Sequence, residues 1–445
     1  MKAPELSVGE LLRLAIPSMV FVVLTNAYRS VDQYWVGEVS TEAQAAVGAS
    51  VFILIALYSL FQLASAGASA LIARATGAND PERRRVVLGA AIFTALIITV
   101  FLGFVGTVLA EPIATTVGLE GEPARLCGLY VKAICLTALP LALTPLVDQA
   151  WVSMGNTRLP MVLQGLSLAI NIVLTPVLML DQPFDWLPGL GLGIVGAAYA
   201  SNASRLLSTG LGLWLLARHT GLKWSDIRPN VELPKVLKIG FPAFLGVFLY
   251  AAVYWVMLRT SISPLGPEVN AALGIGFSAL EGVTWPCFYG VSIALGSLVG
   301  RSLGAGRPDQ AKRAVKLAAP LLTFMGVLAT LAFAFGGYFL TGLFTNDPEV
   351  HRQATLYASI LAFSQVAVAW ESLTEGALLG AGDTKTVTWL SVPFNLLRIP
   401  LAYTFAFPLG MGAAGVWWAI NVSSWLKTGA KMVALFRGKW LELEI

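Results

Sequence analysis

Apolar windows of about 20 residues, the length a helix needs to cross the hydrocarbon of a bilayer, recur between short polar breaks along all 445 residues. That recurrence constrains the fold more than any single motif, because a bilayer admits only helices and closed barrels, which satisfy every backbone polar group internally. The runs are continuously apolar and too long for barrel strands, whose polarity alternates. Composition agrees, with 56% hydrophobic and 12% charged residues and a mean hydropathy of +0.73. The expected class is an all-α polytopic membrane protein of about twelve transmembrane helices. They are placed near 13–36, 47–72, 86–110, 127–153, 160–180, 191–217, 236–260, 270–300, 313–340, 352–380, 387–408 and 411–435.

Basic residues cluster in alternate loops: Arg83, Arg84 and Arg85; then Arg218, Lys223, Arg228, Lys235 and Lys238; then Arg307, Lys312, Arg313 and Lys316. The opposite loops carry "EPIATTVGLEGEP" and "DQPFDW", which are acidic or neutral. The positive-inside rule therefore predicts that both termini and the central loop face the cytoplasm, in the cell membrane. The N-terminal segment shows no small-residue cleavage site and reads as mature sequence. A net charge of +4 is accounted for by these loops and implies no nucleic-acid partner.

The two halves match each other. Pro17 aligns with Pro242 and "AAVG" at 45–48 with "AALG" at 271–274. "RATGANDP" aligns with "RSLGAGRP", placing Gly77 on Gly304, and "GNTR" at 155 aligns with "GDTK" at 382. Asn171 and Pro176 fall on Asn395 and Pro400. Across these pairs the offset stays between 224 and 227, as a duplication requires. Six spans per half is an even number, so the repeats are parallel, and transporters place their central site between such halves. The expected domains are an N-lobe at 1–218, a cytoplasmic linker at 219–235 and a C-lobe at 236–445.

No P-loop, HExxH or nucleophile elbow is present, so neither an enzyme nor a cofactor is expected. Cys127, Cys135 and Cys287 are odd in number and lie in apolar stretches, and His219 and His351 stand apart. They suggest neither a disulfide framework nor a metal cluster. What remains are ionisable residues inside spans, each costing about 2.5–3.5 kcal/mol on insertion scales unless paired or hydrated. These are Asp32 with Arg29, Asp148, Glu281, and the pair Glu371 and Glu375, four apart on one helical face. Asp32 reads either as a proton-loading site or as the partner of Arg29 at i, i+3. Like charges at 371 and 375 disfavour joint ionisation, unless both merely line a hydrated cavity. Trp285 and Trp370 neighbour these acids and suit either packing or an organic cation.

"VDQYWVGEVSTEAQAAVGAS", "ALEGVTWPCFYGVSIALGSLVGRSLGAGRPDQAKRA" and "EGALLGAGDTK" resemble the first-span, eighth-span and tenth-span segments of the multidrug and toxic compound extrusion (MATE) family. The resemblance extends over essentially the whole chain. It implies a V-shaped pair of six-helix lobes and cation-coupled export of amphipathic, often cationic organic compounds from the cytoplasm; a monomer is expected. In prokaryotic members an aspartate fifteen residues after the first-span proline couples the ion, and Pro17 and Asp32 have that spacing. The family's fifth span carries asparagine, an acid four residues later, then proline; here stand Asn171, Thr175 and Pro176. Thr175 and Ser201 can still supply oxygens, to a proton relay or to Na⁺ at Asp32. Members that couple through the second lobe have an acid eight residues after the seventh-span proline, where this chain has Tyr250. Second-lobe coupling would then fall to Glu281, Glu371 or Glu375, and Asp148 joins Tyr250, Trp285 and Trp370 as cavity candidates.

The resulting expectation is an H⁺-coupled antiporter, with Na⁺ as the alternative ion. One charge moving through 100 mV supplies about 2.3 kcal/mol, enough for a roughly fiftyfold gradient. A lipid-linked glycan flippase of the same superfamily would want a cationic cavity, and Arg29, Arg259 and Arg398 are scattered in the sequence. A channel is the rival from another class.

Overall fold

The computed structural model describes residues 6–115, 121–184 and 186–445; the side chains of residues 29, 30, 33, 38, 41, 44, 45, 48, 49, 52, 278 and 279 lie outside that description. The chain runs through α1 Val8–Val39, α2 Thr41–Ser59, α3 Gln62–Gly77, α4 Pro81–Val108, α5 Ala110–Thr115, α6 Gly121–Leu136, α7 Leu139–Ser153, α8 Arg158–Met179 and α9 Ile194–Thr220. It continues with α10 Leu233–Met257, α11 Pro267–Ile275, α12 Glu281–Gly304, α13 Pro308–Gly342, α14 Pro348–Leu361, α15 Gln365–Ala381, α16 Thr384–Ala406 and α17 Ala413–Arg437. Among the described residues there is no named strand, only an isolated bridge between Phe184 and Leu187.

Seven described helices are long and apolar enough to cross a membrane, or up to nine if each of two bent pairs is one span. The bends are 42° between α2 and α3 and 57° between α6 and α7. Pro140 in the first turn of α7 suits a fresh helix start there, because it lacks the N–H that would continue α6. Helices α9, α16 and α17 occupy the remaining expected span positions. They fall short in apolarity because their buried faces are polar: Ser201, Asn202 and Ser204 on α9, Asn395 and Arg398 on α16, Lys427 and Lys431 on α17.

The duplication is visible in backbone and side chains alike. Asn79, the one described non-glycine residue with positive φ, has Gly306 at its 227-offset counterpart, with φ of 55° and 67°. Only glycine or a short amide side chain tolerates this left-handed helix exit. Pro81 and Pro308 then open the next helix in each half. Glu122 pairs with Arg125 at 2.6 Å and, 227 residues on, Glu349 pairs with Arg352 at 2.6 Å. The α3–α7 crossing is joined by a Ser69–Ser153 hydrogen bond of 3.0 Å. Its counterpart brings Gly296 of α12 and Gly380 of α15 so close that a Cβ on Gly380 would stand 2.4 Å from the Gly296 carbonyl oxygen. Small residues at both crossings permit the backbone approach on which packing in lipid depends.

Packing groups the chain into two compact units, one of residues 23–244 and one of 1–22 with 245–445. The sequence places boundaries at the 219–235 linker, whereas packing divides α1 and α10. The physical reason for the second boundary is that the linker folds onto α4. Glu232 pairs with Arg83 at 3.0 Å, Asp226 with Arg85 at 3.5 Å, and Asn230 Nδ2 donates to the Val86 carbonyl at 3.0 Å. For the first, Leu11, Leu14 and Ala15 are buried in a core built from Val291, Leu295, Leu298 and Leu322.

Candidate functional site

In the unit of residues 23–244, Asp32 on α1 meets side chains from α8 and α9. Asn171 and Thr175 are four residues apart, so both project from one face of α8. Asn171 Nδ2 donates to Thr175 Oγ1 at 3.0 Å and to Ser201 Oγ at 3.2 Å. Ser201 Oγ in turn donates to Asp32 Oδ2 at 2.9 Å. Asn171 and Thr175 are fully buried, and Asp32 is 6% exposed. The second oxygen of Asp32, Oδ1, and the Asn171 Oδ1 are both buried with no hydrogen-bond partner. Such acceptors are rare in folded proteins and ask for an explanation. The four residues expected to act together thus form one chain of contacts, while the Arg29 side chain lies outside the described residues.

Asp148 on α7 is also buried and accepts a 2.7 Å bond from Gln164 Nε2 of α8. Arg205 of α9, which the sequence reading missed, lies within electrostatic reach of both Asp32 and Asp148. Its guanidinium stacks 4.0 Å over the Tyr28 ring, and the Tyr28 hydroxyl bonds Ser167. Arg205 stands four residues beyond Ser201 on the same helix, a spacing visible in the sequence once Ser201 is singled out.

In the unit that contains residues 245–445, the acids keep different company. Lys431, with no exposed surface, donates to Glu371 at 2.8 Å and to Glu375 at 2.7 Å. Lys427 pairs with Glu371 at 2.8 Å and reaches Asn395 Oδ1 at 3.4 Å. The two like charges that the sequence sets on one face therefore share a cation, which offsets their mutual repulsion. Glu281 accepts a 2.7 Å bond from the Tyr357 hydroxyl and follows directly on a π-helical turn at Gly276–Leu280. Arg398 bonds Ser423, Ser424 and Tyr254.

Sequence reading did not single out Lys427 or Lys431, although the internal repeat holds the signal. Gly191 and Gly193 align with Gly410 and Gly412 at an offset of 219, and all four have positive φ. At that offset Asn202 and Asn421 correspond, and each donates to a main-chain carbonyl, of Ile134 and Ile360. Ser208 and Gly212 then stand where the second half has Lys427 and Lys431.

The other candidates are placed as follows. Tyr250 packs on Tyr254 with ring centroids 4.9 Å apart. Trp285 stacks on Tyr289 at 4.8 Å and is 44% exposed. Trp370 turns its Nε1 to Thr323 at 2.9 Å. Pro17 is buried within α1. Among the described residues no group of three His, Cys, Asp or Glu is arranged to hold a metal ion, and the three cysteines are free.

A family model described as MatE matches residues 17–177 and 242–404, one stretch in each sequence half. The probable multidrug resistance protein NorM of Thermotoga maritima is 26% identical over 449 residues, which cover 99% of this chain and 94% of that protein. The FAD transporter of Shewanella oneidensis is 26% identical over 355 residues, covering 79% of this chain and 77% of the relative. Among solved structures, a MOP superfamily transporter from Pyrococcus furiosus, described as having a binding pocket of reverse polarity that suggests a different function, aligns with a TM-score of 0.89 at 20% identity. That alignment covers 98% of this chain and 97% of that one.

Proposed function

The chain belongs to the MatE family of multi-pass membrane transporters, and from that premise we propose that it exports amphipathic organic compounds, cationic ones included, in exchange for a coupling ion. The observation that carries the reading is the Asp32 cluster. A buried carboxylate whose near neighbours are the neutral Ser201 and Asn171, with Arg205 only within electrostatic reach, and with a bare second oxygen, is poorly solvated when ionised. A proton relieves that charge and lets α1 pack dry against Asn171, Thr175 and Ser201. Losing the proton makes the same packing demand water or a cation, so one ion biases a two-state unit. Na⁺ is the alternative, since Asp32, Asn171, Thr175 and Ser201 present oxygens.

Proteoliposome dye efflux under an imposed pH or Na⁺ gradient tests the reading. Asp32→Asn is expected to stop gradient-driven efflux while the protein still inserts and binds dye; coupled efflux at the parent rate overturns it. Drive from the pH gradient alone selects the proton. The cytoplasmic placement of both termini is tested by impermeant thiol labelling of Trp186→Cys, expected from outside, and Arg228→Cys, expected only from inside.

A second reading is favoured by one observation. Arg398, Lys427 and Lys431, far apart or unremarked in the sequence, gather in one unit, as a carrier of anionic cargo such as a lipid-linked glycan or a dinucleotide requires. Two of the three are neutralised by Glu371 and Glu375, which ranks this reading below export of cations. A channel would be separated from both by steady current in planar bilayers, and none is expected here.

A further inference from the structure

The export reading leaves one buried charge of the second unit without a role. Lys427, Lys431, Glu371 and Glu375 satisfy one another, and Glu281 is held by Tyr357. Arg398 is 3% exposed. Its donors go to hydroxyls: Nε to Ser423 Oγ at 2.8 Å, Nη2 to Ser424 Oγ at 3.1 Å, and Nη1 to the Tyr254 hydroxyl at 3.4 Å. The last is at the outer edge of hydrogen-bond range. None of these hydrogen-bond partners is an anion; Glu371 and Glu281 lie within electrostatic reach of Arg398, but among the described residues neither forms an ion pair with it, the first being held by Lys427 and Lys431 and the second by Tyr357.

Burying a guanidinium whose hydrogen bonds all go to neutral groups is costly, and Glu371 and Glu281, already engaged by other side chains, offset that cost only in part. Hydroxyls that accept from arginine can also donate to an anion by rotating, although Ser423 must first give up the 2.9 Å bond that it donates to the Ile420 carbonyl. A planar guanidinium fork ringed by three hydroxyls is therefore a donor set matched to the oxygens of a carboxylate or phosphate. The set belongs to the second half alone, since its repeat counterparts at offsets of 224 and 219 place Leu174 opposite Arg398 and Arg205 opposite Ser424. The elements that carry it also contain breaks in the regular helical ladder. Pro393 and Pro400 interrupt α16 on either side of Arg398, and a π-helical turn at Leu258–Ile262 follows Tyr254 on α10. Such breaks in the hydrogen-bond ladder are recognised sites of bending, the kind of motion a buried fork requires to admit a ligand.

We propose that Arg398, with Tyr254, Ser423 and Ser424, binds an acidic group, a carboxylate or a phosphate, on the transported molecule. The proposal rests on the export reading and widens its substrate class from cations to zwitterions and anions. Glu281 lies within electrostatic reach of Arg398 and keeps its hydrogen bond from Tyr357.

The test compares a rhodamine carrying a free carboxylate with its methyl ester, measured by fluorescence polarisation on the full chain in nanodiscs. Arg398→Gln is expected to weaken the acid at least about tenfold, the loss of one charge-assisted hydrogen bond, and to leave the ester unchanged. Arg398→Lys, which keeps the charge without the fork, recovers part of that loss. Tyr254→Phe deletes a hydroxyl and keeps the ring, so a selective loss for the acid supports the proposal even if Arg398→Gln fails to fold. Equal losses for acid and ester, or none, overturn it. The same preference in phosphatidylcholine and phosphatidylglycerol discs supports a substrate group, whereas a preference abolished by phosphatidylglycerol assigns the site to a lipid headgroup and overturns the proposal. Gradient-driven efflux of the ester is scored separately, so a failure of the export reading stays distinguishable from a failure of the acid site.

Discussion

In the unit of residues 23–244, Asp32 and Asp148 accept hydrogen bonds from neutral side chains, Ser201 for one and Gln164 for the other. In the other unit, Glu371 and Glu375, the latter the repeat counterpart of Asp148, are bracketed by Lys427 and Lys431. One ancestral helix pair thus carries two electrostatic designs. An acid with neutral partners changes charge when a proton arrives and leaves no orphaned partner behind. An acid in an ion pair cannot be neutralised without stranding a buried cation, so the second design holds its charge and suits scaffolding or recognition. The comparison teaches that duplication preserved the crossing geometry, as at Ser69–Ser153 and Gly296–Gly380, while the charge chemistry diverged.

The sharpest way to break this comparison is Lys431→Met. Removing the cation leaves two carboxylates facing each other with one lysine, and breaking such a buried pair costs about 3–5 kcal/mol. The thermal midpoint should fall steeply, and Lys431→Met combined with Glu375→Gln should recover part of the fall. A midpoint equal to the parent's would mean that the pairs are not structural. Asp32→Asn comes next. It breaks no ion pair, since Arg205 acts on Asp32 only at longer range, so the midpoint should stay close to the parent's while coupled efflux is lost; a fall as large as that of Lys431→Met would recast Asp32 as structural. A smaller effect is expected for Gln164→Leu, which takes away the hydrogen-bond donor of Asp148 and costs about 1–3 kcal/mol. Adding Asp148→Leu should cancel most of it, because replacing both partners by apolar groups is close to neutral. The smallest effect is expected at the fully exposed pairs, where Arg125→Ala and Arg352→Ala should leave the thermal midpoint unchanged within error. A clear shift in only one of the two would mark a difference between the halves that their identical 2.6 Å geometry hides.

Much of the architecture was legible before any coordinates. Apolar run length decides that helices cross a bilayer, and the offset of 224–227 decides that the chain is a duplicated set of six. The left-handed exit at Asn79 and Gly306 and the matched pairs at Glu122–Arg125 and Glu349–Arg352 realise that repeat in detail. Asp32, Asn171, Thr175 and Ser201 could be named from spacing and resemblance, and they do meet. Periodicity along one helix, however, carries no information about which other helix faces it. Arg205 lies 173 residues from Asp32 in sequence, and only the packing of α9 beside α1 brings it within electrostatic reach. Lys427 and Lys431 near the end of an apolar helix look like side chains that reach for water, until α15 and α17 are packed and Glu371 and Glu375 close over them. Chain length, hydropathy and repeat are local or one-dimensional properties, which sequence alone determines. The partner of a buried charge is a property of the contact between helices, so whether an acid here is free to take a proton or locked against a lysine was decided only by the tertiary structure.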